Sequence, residues 1–187
     1  MGDFTRGDIG PWITSAAGIG GAPVRGRLKL QNMLFLLTYS VEEIGRLLDY
    51  APGPRGPHSD MVDRELDRLV GAGIVSEGPG GISPADPGKE ADARARADPR
   101  ILDELEECKE MLNDLTDEEL LAFMYLTFPE MAAASPEYER IRRTGEPLIM
   151  SLVKKDKISS QRAAELLGVT QSHIFHNMNR MGMRVFY

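Results

Sequence analysis

Between residues 158 and 178 the chain sets Ala164, Gly168 and Ile174 at intervals that suit two short helices crossing at a tight joint. Each residue type has a steric reason. Ala164 is small enough for a second helix to approach the first. Gly168 permits the left-handed backbone that ends the first helix. Val169 packs back into the joint, and Thr170 caps the helix that follows. Ile174 then lies on the inner face, with Met178 and Met181 one and two turns on. The spacing is that of a helix-turn-helix. Asn177 departs from the pattern, because an apolar residue usually stands there, and Met178 has to take its place.

The outer face of the second helix is expected to carry Gln171, Ser172, His173, His176, Asn177 and Arg180. These residue types hydrogen-bond base edges or phosphates in a major groove. Lys154, Lys155, Lys157 and Arg162 are placed to reach backbone phosphates, which adds affinity rather than specificity. Charge agrees with this reading. Residues 151–187 hold Lys154, Lys155, Lys157, Arg162, Arg180 and Arg184 against Asp156 and Glu165, a sum of +4, in a chain whose net charge is −7. A tail of the opposite sign to the body points to a different partner. The competing reading is a plain helical hairpin whose polar face is only solvated. On the first reading the partner is double-stranded DNA, and half-site geometry calls for a homodimer. His173 and His176 share a helix face, but no Glu, Asp or Cys at useful spacing completes a metal site.

The rest of the chain reads as mainly α. Residues 1–22 are Gly-rich and are expected to form a flexible lead-in. Gly18-Ile19-Gly20-Gly21 is no phosphate loop, because no Gly-Lys-Ser/Thr follows it. Leu28, Leu30, Met33, Leu34, Leu37 and Tyr39 predict a buried helix. Ser40-Val41-Glu42-Glu43 predicts a capping box opening a second. Residues 51–57 hold three prolines and two glycines, a loop. Ser59 caps a third helix bearing Met61, Val62, Leu66, Leu69 and Val70, ended by Gly71 and Gly73. Ile74-Val75-Ser76-Glu77 and Ile82-Ser83, joined by Gly78-Pro79-Gly80-Gly81, predict a β-hairpin. Three helices and a small hairpin make the winged-helix order, over residues 23–97. Residues 85–97 read as an exposed helix or linker. Residues 98–150 read as a helical connector, with Pro99 opening one helix and a Thr116–Glu119 capping box another. Residues 151–187 form the helix-turn-helix tail.

In the third helix, Asp60, Asp63, Glu65 and Asp67 outnumber Arg64 and Arg68 by two charges. Phosphates would be repelled there. This half therefore suits protein contacts or dimerisation, with Arg25, Arg27 and Lys29 as a solvated helix start.

Cys108 is the only cysteine, so neither an intrachain disulfide nor a Cys-based metal site can form. No basic region precedes an apolar run at the N-terminus, and apolar runs such as residues 33–37 are far too short to span a membrane. A cytoplasmic protein is expected. No nucleophile–base pair stands in sequence context, so we expect neither an enzyme nor a cofactor.

The tail Ile158-Ser159, Ala163-Ala164-Glu165-Leu166-Leu167-Gly168-Val169, Phe175 and Gly182-Met183-Arg184-Val185 resembles small antitoxin-like helix-turn-helix proteins of archaea and bacteria. Residues 23–37, followed by Gly56-Pro57-His58-Ser59, Leu66, Leu69 and Gly73-Ile74-Val75, are similar to phage-associated, Panacea-like winged-helix proteins of prokaryotes. Leu120-Leu121, Tyr125, Pro129-Glu130 and Ser135 continue that second likeness. The resemblance implies a transcriptional regulator without catalytic chemistry. The alternative it leaves open is an antitoxin-type or adaptor protein that binds a toxin-like partner through its N-terminal domain.

Overall fold

The computed structural model describes residues 9–183, which are mainly helical, in two compact units. Of the described residues, 9–51 with 57–114 make up one, and 52–56 with 115–183 the other. Residues 98–150, read from the sequence as one connector, are thus divided between the units at Asp114.

In the first unit, helix α1 (Gly10–Gly18) has Pro11 in its first turn and buries Ile13, Ala16 and Ala17. The glycines predict a flexible lead-in over residues 1–22. From Ile9 onward that expectation is corrected, while residues 1–8 lie outside the described part. The physical reason is small and branched apolar side chains, which let this helix pack closely despite the glycines around it. Its C-terminal end is closed from a distance. Lys109 Nζ donates to the carbonyls of Ala16, Ala17 and Ile19 at 2.9, 3.2 and 2.6 Å, satisfying acceptors that a helix end leaves without partners.

Helix α2 (Arg27–Ser40) is buried on most sides, with Leu30, Met33, Leu34 and Leu37 in the core. Its buried Lys29 and Gln31 find partners on other segments. Lys29 Nζ donates to the carbonyl of Asn113 at 3.0 Å. Gln31 takes the backbone N–H of Ser59 on its Oε1 at 3.1 Å and donates to the Ser59 carbonyl at 3.0 Å. Tyr39, expected in the core, is 61% exposed and meets Phe35 edge-on. Helix α3 (Glu42–Leu47) starts from Val41 without a side-chain cap. The expected capping box on Ser40 does not form, because Ser40 stays in the last turn of α2. Within the expected loop lie two three-residue strands, β1 (Ala51–Gly53) and β2 (Gly56–His58), which pair.

Helix α4 (Asp60–Gly71) buries Val62, Leu66 and Leu69, as the spacing predicts. Ser59 has N-cap backbone angles, yet its hydroxyl makes no cap bond. Its backbone is instead held by Gln31. The predicted hairpin is present as β3 (Val75–Gly78) and β4 (Gly81–Pro84), in antiparallel register Glu77↔Ile82 and Gly78↔Gly81. Val24 adds a bridge on the far side of Ile82, with both backbone bonds made at 2.9 and 2.8 Å. Gly81 sits at φ +113°, and a Cβ there would lie 2.5 Å from the Val24 carbonyl. Helices α5 (Pro87–Arg96) and α6 (Pro99–Asn113) are capped by the side chains of Asp86 and Asp98. They pack on α1 and α2 respectively.

The second unit opens with α7 (Asp117–Thr127), and its predicted capping box is complete. Glu119 N–H donates to Thr116 Oγ1 at 3.2 Å, and Thr116 N–H to Glu119 Oε2 at 2.7 Å. A 3-10 turn (Pro129–Ala132) and α8 (Tyr138–Thr144) lead into α9 (Glu146–Lys154), α10 (Ser160–Leu167) and α11 (Gln171–Arg180). Among the described residues, no helix is long and apolar enough to cross a membrane.

Candidate functional site

Helices α9, α10 and α11 pack on one another, and α7 packs on α9 and α10. The turn after α9 closes with Asp156 at φ +56°. Asp156 N–H donates to the Val153 carbonyl and Lys157 N–H to that of Leu152, at 3.0 and 2.9 Å. Ser159 then caps α10, its Oγ accepting the Arg162 N–H at 3.0 Å.

The joint that follows has the form read from the sequence. Gly168 is left-handed at φ 64°, ψ 31°. Val169 N–H returns to the Ala164 carbonyl at 3.0 Å. Thr170 Oγ1 accepts the His173 N–H at 3.3 Å, which starts α11. Ala163, Ala164 and Ile174 are buried, as are Ile149 and Leu152 of α9, the helix on which α10 and α11 pack. The inner face is shorter than expected. Met178 is half-buried, and Met181 is 43% exposed at the C-cap. The helix ends there, so no further turn carries Met181 inward.

The candidate residues separate into groups. Ser172, His176 and Arg180 are exposed on α11. Gln171 is exposed too, and its Nε2 lies 3.4 Å from Ser160 Oγ. His173 and Asn177 turn sideways towards α9. His173 Nε2 lies 2.7 Å from Glu146 Oε1, Asn177 Nδ2 donates to the same oxygen, and the two side chains are 3.1 Å apart. Half-burial of Asn177 explains how a polar residue occupies a place where an apolar one is usual: its amide is paired rather than solvated.

Among the basic residues, Lys154 is exposed and Lys157 half-buried. Arg162 pairs with Glu165 at 3.2 Å. Lys155 pairs with Glu119 at 2.7 Å, so its charge is largely answered within the unit. Burial pushes the Glu119 carboxyl up. The hydrogen bonds from Lys155, Ser151 and the Thr116 backbone outweigh that and hold it down at about 2.

Two residues escaped the sequence reading. Asn179 is exposed and lies about 140° round the helix from Ile174, beside His176 at about 200°. A helical wheel centred on Ile174 would have found it. Glu146 stands 27 residues before His173, and no local pattern links them. Glu146, Pro147, Met150, Asn177, Arg180 and Met181 line a shallow groove of about 330 Å³.

In the first unit, α4 keeps its acidic surface. Arg27 is drawn into it, with its guanidinium 2.6 Å from both Asp67 and Glu77. The Glu77 hydrogen bond, with Asp67 behind it, raises the Arg27 pKa despite partial burial. With Lys29 also buried and bonded, the expected solvated cluster of Arg25, Arg27 and Lys29 reduces to Arg25. Among the described residues, no group of three His, Cys, Asp or Glu side chains is arranged to hold a metal ion. No family model, curated protein or solved structure matches this chain.

Proposed function

We propose that this protein is a cytoplasmic, DNA-binding transcriptional regulator that lays α11 in the major groove of double-stranded DNA. One observation carries the reading. The left-handed joint at Gly168 sets α11 across α10 with Ile174 inward, leaving Ser172, His176, Asn179 and Arg180 as a polar, cationic ridge outward. Such a ridge hydrogen-bonds base edges and phosphates. The first unit acts through protein contacts, including a homodimer that spaces two ridges. The order α2, α3, α4, then β3 and β4, with the Val24 bridge beside the hairpin, supports the winged-helix reading of residues 23–97. The carboxylates of α4 argue against that helix as a reader.

The test is fluorescence anisotropy of the full chain on mixed-sequence duplex across a salt series. Changing His176 and Arg180 together to Ala is expected to weaken binding about tenfold and to flatten the salt slope by about one. Unchanged binding by that variant would remove α11 as the reader.

A second reading, an antitoxin-type or adaptor protein, is favoured by a specific feature of the first unit. A groove of about 490 Å³ is lined by Glu42, Asp98, Asp103, Glu104 and Glu107, with Arg100 as its one cation. A basic, toxin-like partner protein would suit it. Pull-down with such a partner in the absence of any DNA binding would favour this reading.

A further inference from the structure

The outward ridge of α11 is narrower than its sequence allows, and the cause is a side chain on another helix. Glu146 stands in the first turn of α9 and is about half-exposed. Its Oε1 accepts from Asn177 and lies 2.7 Å from His173 Nε2. His173 and Asn177 are one turn apart, so a single carboxylate oxygen engages both. The pair is also in mutual contact at 3.1 Å. Both residue types are good base-edge readers, and Asn in particular pairs bidentately with adenine. A side chain tied to a carboxylate must break that tie before it reads a base, and the carboxylate then faces phosphates without its donors.

We propose that Glu146 is the selectivity residue of the α11 ridge: it withholds His173 and Asn177 from the duplex and leaves the reading to Ser172, His176, Asn179 and Arg180. The proposal rests on the DNA-binding reading above and adds a negative determinant to it. Glu146 is a positioning residue, since it acts through the two side chains it holds.

Two variants of the full chain separate its charge from its grip. Glu146→Gln removes the charge and keeps one acceptor for Asn177. Glu146→Ala removes both. Side-chain amide signals of Asn177 in NMR spectra report the grip without any DNA, and are expected to persist in Glu146→Gln and to lose their exchange protection in Glu146→Ala. Binding to mixed-sequence duplex is expected to tighten about threefold in Glu146→Gln, and about tenfold in Glu146→Ala. Sequences enriched from a random duplex library are expected to change at additional base positions only for Glu146→Ala. If Glu146→Ala frees the Asn177 amide while the enriched sequences stay those of the unaltered chain, the selectivity role is overturned and the DNA-binding reading stands. If the unaltered chain binds no duplex and Glu146→Ala does, the selectivity role is overturned, because Ser172, His176, Asn179 and Arg180 then do not read on their own. If neither binds at low salt, the DNA-binding reading fails and the selectivity role falls with it.

Discussion

Lys109 Nζ stands 2.6 Å from the carbonyl oxygen of Ile19, and the same ammonium also serves Ala16 and Ala17. A side chain 90 residues away in sequence therefore finishes the end of α1. Replacing it with Met leaves these buried carbonyls without a donor, at a cost of about 1–3 kcal/mol. Urea unfolding of Lys109→Met is expected to show a lower midpoint with an unchanged slope.

The same lysine gives stability a pH dependence. Burial pushes Lys109 down to about 8 from an ordinary 10.5, against the opposing pull of Glu106 and Glu90. Between those values the unfolded chain holds a proton that the folded chain has lost. Stability from this group therefore rises with pH across that window, and below about 8 the full burial penalty is present. The slope should be missing from Lys109→Met, which paired denaturation curves at pH 7.5 and 9.5 would test.

Glu119 works in the opposite direction. Its folded value of about 2 lies below the ordinary 4.5, so its contribution is present above 4.5 and is lost as pH falls towards 2. With Lys155 partly screened by solvent, about 2 kcal/mol is at stake. Glu119→Gln is expected to lower the melting temperature at pH 7 and to close the gap with the unaltered protein near pH 2.

Two left-handed positions bracket α10 and should respond oppositely. Gly168 has φ 64°, so Gly168→Ala introduces a strained Cβ at a cost of about 1 kcal/mol. Asp156 already bears that strain at φ 56°, so Asp156→Gly is expected to stabilise by up to about 1 kcal/mol. Calorimetry on both variants checks the pair, and a fall for Asp156→Gly would contradict the account.

Gly81→Ala should be the most damaging change in the hairpin. Its Cβ would press on the Val24 carbonyl at 2.5 Å, and its φ of +113° suits only glycine. A loss of about 2–3 kcal/mol is expected. Gly80→Ala, which meets nothing within 4 Å, serves as the control.

Legibility in the sequence followed the range of the forces involved. The joint at Gly168, the Thr170 cap, the Thr116–Glu119 box and the hairpin at 75–84 all depend on neighbours a few residues apart, and all four were readable. Helix α1 was not, because glycine content hid a helix whose stability comes from packing and from Lys109. Nor was the cap of α4, where Ser59 is held by Gln31 on another helix. On α11 the exposed residues could be read from periodicity. Their division into open and engaged could not, because the carboxylate that divides them belongs to α9.

Glu119 completes the start of α7 and also receives Ser151 and Lys155, at 2.6 and 2.7 Å. During synthesis, the opening turn of α7 leaves the ribosome about thirty residues before those two partners. That turn must wait, half-finished, for a later helix to arrive. Once all are assembled, amide hydrogens of both segments should open to solvent together, as one cooperative block rather than as two independent helix ends.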